Sequence, residues 1–173
     1  MTDTARSLSA LQTLLADNVA EDITPQDLRD MLVSCLGIYG SLSCFEYYIQ
    51  QDNPDTGVIL TCFDTDGLAE GMTPSNADNN ITIEIDGVYD ILFQTSFFGD
   101  IAEIAFRLRK NGVEQPYGCY RNIVSSSDKD SVSFIAPGIS LVATDILTIY
   151  VEMSVATADF TIVDAQFSAR MVG

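Results

Sequence analysis

Four cysteines and 25 acidic residues are the side chains of this 173-residue chain with the means to do chemistry, and no histidine is present to assist them. Cys35, Cys44, Cys62 and Cys119 stand 9, 18 and 57 positions apart. Zinc knuckles and thiol redox motifs need cysteines only a few positions apart, so neither reading fits. Without an imidazole there is no Ser-His-Asp arrangement, no Cys-His pair and no nitrogen ligand for a metal. The expectation is buried free thiols that behave as small hydrophobes. Carboxylates are so abundant that no pair can be singled out for glycoside hydrolysis, which needs two at a set separation.

Two further groups invite a binding role. Asp64-Thr65-Asp66-Gly67 resembles a fragment of a calcium loop, with oxygen ligands at alternate positions. Aligning Gly67 with the invariant glycine of that loop, however, puts Cys62 at the first ligand and Thr73 at the closing glutamate. A hard cation avoids a thiol, so a plain Asp/Gly turn is expected here. Phe45, Tyr47, Tyr48, Phe97 and Phe98 could form a platform for a sugar or a base, but aromatics more often fill a core. No Gly-rich phosphate loop follows a strand and opens a helix. No catalytic residue, metal site or cofactor is assigned, and the chain reads as non-enzymatic.

The elements that must position these residues change character along the chain. Leu8, Leu11, Leu14 and Leu15 recur at helical spacing over the first stretch. A second helix is expected from a Thr24 cap, Pro25 in its first turn, and an apolar stripe of Leu28, Met31, Leu32 and Leu36 that stops at Gly37. From about residue 42 the period becomes two. Phe45, Tyr47 and Ile49 alternate with Glu46, Tyr48 and Gln50, and Val58 to Phe63 reads as a second short strand. Residues 64 to 80 read as a long polar loop. Ile81 to Ile85 and Val88 to Phe97 are expected to form a hairpin around Asp86-Gly87, and a second turn is expected at Asn111-Gly112. Strands are also expected at 104–109, 117–124, 131–136, 145–153 and 160–171, the last with a bulge between Ile162 and Phe167. Many short strands with regular turns indicate a sandwich or barrel. The expected fold is mainly β, an antiparallel sandwich over 41–173 preceded by a short α-helical segment over 1–40.

Charge narrows the partners. The formal net charge of -17 leaves few Lys and Arg to neutralise phosphates, which argues against nucleic acid and against an anionic membrane surface. No apolar run approaches the roughly 20 residues of a membrane span, so no membrane insertion is expected. The first residues lack a basic-then-apolar leader, and synthesis in a cytoplasm is expected. Hydrophobic content is 47% but charged content only 19%, which leaves apolar surface for partners to cover.

Two stretches carry a resemblance. Leu14-Leu15-Ala16-Asp17-Asn18 with Asp22-Ile23-Thr24-Pro25-Gln26-Asp27-Leu28-Arg29-Asp30 resembles a segment of tailed-bacteriophage structural proteins that precedes a β-rich domain. The remainder resembles the trimeric jelly rolls of the complement globular-head and tumour-necrosis-factor superfamily. That resemblance is carried by Ile81-Thr82-Ile83, Gly87-Val88-Tyr89, Ser96-Phe97, Arg109-Lys110-Asn111-Gly112 and Asp145-Ile146-Leu147. The chain departs from that pattern at one turn, where Thr144 stands in place of the usual Gly before Asp145. The resemblance implies a jelly-roll homotrimer on a virion, as a capsid-decorating (cement) or short head-fibre protein bound to other capsid or tail proteins. The alternative is the receptor-binding tip of a tail fibre or baseplate, whose loops at 51–57, 64–80 and 125–130 would touch a host surface glycan or protein. The Leu28, Met31, Leu32 and Leu36 stripe either anchors to the particle or folds back on the sandwich. Phe45, Tyr47, Phe97, Tyr150 and Phe167 are candidates for the trimer interface or the core.

Overall fold

A strand that alternates apolar and polar residues buries one face only, and two such sheets satisfy each other by closing face to face. The computed structural model of the chain has that form and describes residues 37–45, 49–51 and 57–172. The expected helices, and with them the 28–36 stripe, lie outside the described residues. Among the described residues there is no helix.

The described residues form twelve strands: β1 (Tyr39–Cys44), β2 (Ile49–Gln51), β3 (Val58–Ile59), β4 (Thr65–Asp66), β5 (Met72–Ser75), β6 (Asn80–Ile83), β7 (Gly87–Gly99), β8 (Glu103–Lys110), β9 (Val113–Asn122), β10 (Asp130–Leu141), β11 (Ile146–Met153) and β12 (Phe160–Met171). One antiparallel sheet runs β10-β7-β12-β1-β4, with β2 also on β12. The other runs β5-β6-β11-β8-β9, with β3 also on β11. Tyr89, Ile91, Phe93 and Phe97 of β7, with Phe160, Ile162 and Phe167 of β12, point inward from the first sheet. Ile104, Phe106 and Leu108 of β8, with Leu147, Ile149, Val151 and Met153 of β11, meet them from the second. Phe106 is the pivot, its ring centroid 5.3 Å from Phe93, 5.5 Å from Phe97 and 6.1 Å from Phe160.

Several sequence expectations hold. Asn111 (φ 52°) and Gly112 (φ 77°) close the β8–β9 hairpin with the left-handed backbone that a tight primed turn needs. The register of β12 on β7 slips between Ile162 and Asp164, where the phase of the sequence breaks.

Others are corrected. Asp86-Gly87 is no hairpin: β6 belongs to the second sheet and β7 to the first, so this dipeptide carries the chain across the sandwich. Gly87 lacks a positive φ, and Asp86 instead accepts the Ala143 N–H at 2.7 Å. The stretch 64–80 is not all loop, because β4 pairs with β1 and β5 forms the edge of the second sheet. Pro74 of β5 sits there because an edge strand tolerates a missing donor. β1 begins at Tyr39, earlier than expected, with Gly40, Leu42 and Cys44 facing the core. Of the strand expected at Phe45–Gln50, Phe45 follows the end of β1, residues 46–48 lie outside the described residues, and Ile49 and Gln50 fall in β2 on β12. The strand expected over Val58–Phe63 is regular only at Val58–Ile59, although Leu60 still donates to Ile149 O at 2.8 Å.

Candidate assembly face

Strand register places outward side chains in rows across a sheet, so distant parts of the sequence become neighbours. On the first sheet one row reads Ser133, Gln94, Gln166, Ser43 and Thr65, from β10 across to β4. The next reads Ile135, Leu92, Ser168 and Ser41. Neither row contains an ionisable side chain, although the chain as a whole carries -17. Gln94 Nε2 donates to Gln166 Oε1 at 3.0 Å, which locks the centre of the belt.

Charge returns only at the belt's margins. On one side Asp90 accepts the Gly138 N–H at 2.9 Å, and Arg170 stands opposite Asp90 and Tyr39. On the other, Ser96 Oγ donates to the Asp164 carboxylate beside Ser131. Gln94, Ser96, Ser131, Ser133 and Asp164 line a shallow recess of about 300 Å3 there.

The outer face of the second sheet is different. Arg107 pairs with Glu114 at 3.3 Å, and the Arg109 guanidinium lies 3.4 Å from the centroid of the Tyr150 ring. Glu152 stands in register with Ala105, which in turn faces exposed Tyr120. That face mixes charges as solvated surfaces do.

At one end of the sandwich a buried carboxylate ties the turns together. Asp145 Oδ2 accepts the Val142 N–H at 2.9 Å and Lys110 Nζ at 3.1 Å, while Oδ1 accepts Asn111 Nδ2 at 2.6 Å. Burial alone would push its acidity the other way, but these donors together hold the carboxyl below its ordinary value. Thr144 before it adopts φ 78°. The geometry reserved for Gly is present even though the residue is not.

The candidates named from sequence scatter. Phe97 and Phe167 are fully buried in the core, whereas Phe45 is 78% exposed and belongs to no core. Tyr150 lies half-buried on the outer face of the second sheet under Arg109. Tyr47 and the stripe of Leu28, Met31, Leu32 and Leu36 lie outside the described residues. The Asp64–Gly67 segment makes strand pairing in place of a calcium loop: Asp66 accepts the Asn76 N–H at 2.6 Å, and Asn76 Nδ2 donates to Asp64 O at 2.7 Å. Gly67 is needed for closeness, since a Cβ there would meet Ser41 Oγ at 2.1 Å. Among the described residues no group of three Cys, Asp or Glu side chains is gathered to hold a metal ion. The neutral belt escaped sequence reading because it exists only once four or five strands are in register. Its one trace in the sequence is the lack of charge at the alternate positions 92, 94 and 96 and at 166 and 168.

No protein-family model matches this sequence, and no curated protein matches it. Solved structures do. A tumour necrosis factor of S. frugiperda, Eiger, superposes with a TM-score of 0.60 at 10% identity, over 79% of this chain and 93% of its own. The zebrafish complement 1qA globular domain gives 0.57 at 16% identity, over 79% and 98%. The fold is that jelly roll. Murine APRIL agrees, with a TM-score of 0.51 at 12% identity over 78% of this chain and 99% of its own.

Proposed function

We propose that this chain is a non-enzymatic structural protein that assembles through the belt on its first sheet with two further copies of itself. The observation that carries the reading is the belt: a strongly acidic chain keeps two rows across four or five strands free of charge. Depletion of charge is the compositional mark of the centre of an interface. Copies that repel at a distance meet at least cost where no charge must be desolvated. The likeness of fold agrees with the homotrimer that the sequence motifs imply.

The finer reading is a virion protein, either capsid-decorating or a short head fibre, made in the host cytoplasm and held on the particle by its segment 1–40. Its support is the likeness of residues 14–30 to tailed-phage structural proteins, together with a jelly roll that follows without a long shaft.

Light scattering on the purified chain tests the first part: three times 18.8 kDa is expected, and monomer at micromolar concentration overturns it. Gln94→Lys, exposed and central in the belt, puts an unpaired charge in a contact that must lose its water, and is expected to yield a folded monomer. For the second part, the C-terminus is labelled and intact particles are imaged after gradient separation. Label over the icosahedral head supports decoration. Label confined to the tail favours the receptor-binding tip.

A further inference from the structure

Cys44 ends β1 in the first sheet, and Cys62 lies in the extended segment between β3 of the second sheet and β4 of the first. Both are reduced and belong to one core cluster, Cys44 at 2% exposure and Cys62 at 0%. Their side chains are in hydrogen-bonding contact. Flanking backbone bonds hold the two segments together, from Asp64 N to Ser43 O at 3.2 Å and from Gly67 N to Ser41 O at 2.9 Å. Register continued from Ser43↔Thr65 sets Cys44 opposite Asp64, two residues from Cys62, so the two thiols share one side of adjoining segments.

We infer that Cys44 and Cys62 are a disulfide site, reduced where the chain is made and closed by a small-molecule disulfide once the protein leaves a reducing compartment. In the first step the Cys44 thiolate attacks one sulfur of that disulfide, and one small thiol departs. In the second, Cys62 loses its proton and attacks the Cys44 sulfur of the mixed disulfide, releasing the second small thiol. Two protein thiols are oxidised and one external disulfide is reduced, so atoms and electrons balance.

The contact itself favours Cys44 as the attacking group. The Cys62 hydrogen bond holds the Cys44 thiol below its ordinary value, and the same contact with burial pushes Cys62 up. Cys119, on β9, is pushed up to about 11 by burial and serves as an internal comparison. Reagent reaches Cys44 through local opening of β4, a strand of two residues.

The bond would join the end of β1 to the segment that links the two sheets. Its effect is a staple at that junction. It does not depend on the trimer or virion reading, because it concerns one copy of the chain.

The test equilibrates the full chain with oxidised glutathione, alkylates the remaining thiols, and cleaves after aromatic residues. Cleavage at Tyr47 or Tyr48 separates Cys44 from Cys62, whereas trypsin cannot, since no Lys or Arg lies between Arg29 and Arg107. The expected product is a cross-linked pair of peptides lighter by two hydrogens, with Cys119 alkylated. The oxidised chain is expected to melt about 6–12 °C higher than the reduced one, reversibly with dithiothreitol. Cys119→Ser should keep that shift, and Cys44→Ala and Cys62→Ala should lose it. Because the wild-type chain is compared with itself, poor folding of a variant does not blunt the test. Cys44 and Cys62 both free at equilibrium, either one joined to Cys35 instead, or a bond without a rise in melting temperature would each overturn the inference.

Discussion

Asp145 offers the sharpest test of how the ends of the sandwich are held. Its side chain is 6% exposed and accepts from Val142 N, Lys110 Nζ and Asn111 Nδ2, so one carboxylate joins the β10–β11 turn to the β8–β9 hairpin. Asp145→Ala leaves the Val142 N–H and the Asn111 amide facing a small void. Lys110, 31% exposed, can turn to water, so its loss is discounted. Two part-buried donors left without this acceptor come to about 2 kcal/mol, or a fall in melting midpoint of about 4–8 °C for a chain of this size. Asp145→Asn keeps the shape but removes the charge and one acceptor, and about half that fall is expected. Scanning calorimetry at neutral pH, with far-ultraviolet circular dichroism as a second probe, reads both. The folded carboxyl sits below its unfolded value, so its contribution is fully present above a pH of about 4 and is lost as pH falls through the folded value. The gap between wild type and Asp145→Asn should therefore narrow progressively as the pH falls below about 4. A fall under about 2 °C for Asp145→Ala, or a gap that widens in acid, would refute the reasoning.

Thr144 holds φ 78°, a conformation that a β-branched residue adopts only under constraint, and Thr144→Gly should raise stability by about 1 kcal/mol after glycine's own entropy is counted. Thermal melts of the reduced chain read the change. Phe106, fully buried and in ring contact with Phe93, Phe97 and Phe160, should cost about 3–5 kcal/mol on replacement by Ala. Urea titration with an unchanged slope would confirm that the loss is one of packing.

The strands that the sequence announced are those with a complete local signal. The β11 stretch alternates Leu147, Ile149, Val151 and Met153 with polar or half-buried neighbours, and a period of two admits no other reading. Asn111-Gly112 was legible because both residues accept a positive φ, which a hairpin turn demands. Asp86-Gly87 also read as a strong hairpin signal and misled, because a turn dipeptide gives the chance to reverse and does not choose the partner strand. That choice falls to the core: Ile81 and Ile83 fill it from one sheet, Tyr89 and Ile91 from the other. β1 was hidden by Gly40, Ser41 and Ser43, poor strand formers recruited by six residues of pairing with β12. β5 was hidden by Pro74, which only an edge position excuses. The assembly belt was the least legible of all, since it is a property of register and not of any segment.

That register has a consequence for how copies approach. With -17 on each, the charges repel over about 30 Å at 10 mM salt and over about 8 Å at 150 mM. The belt itself has no ion pair to weaken, so salt removes a penalty and screens no attraction. Trimerisation should therefore tighten as salt rises from 10 to 150 mM, the reverse of what a nucleic-acid contact would show. Sedimentation equilibrium across that range reads the sign directly. If salt instead loosens the assembly, ion pairs must cross the interface, and the contact would lie on the face that carries Arg107, Glu114 and Arg109, not on the belt.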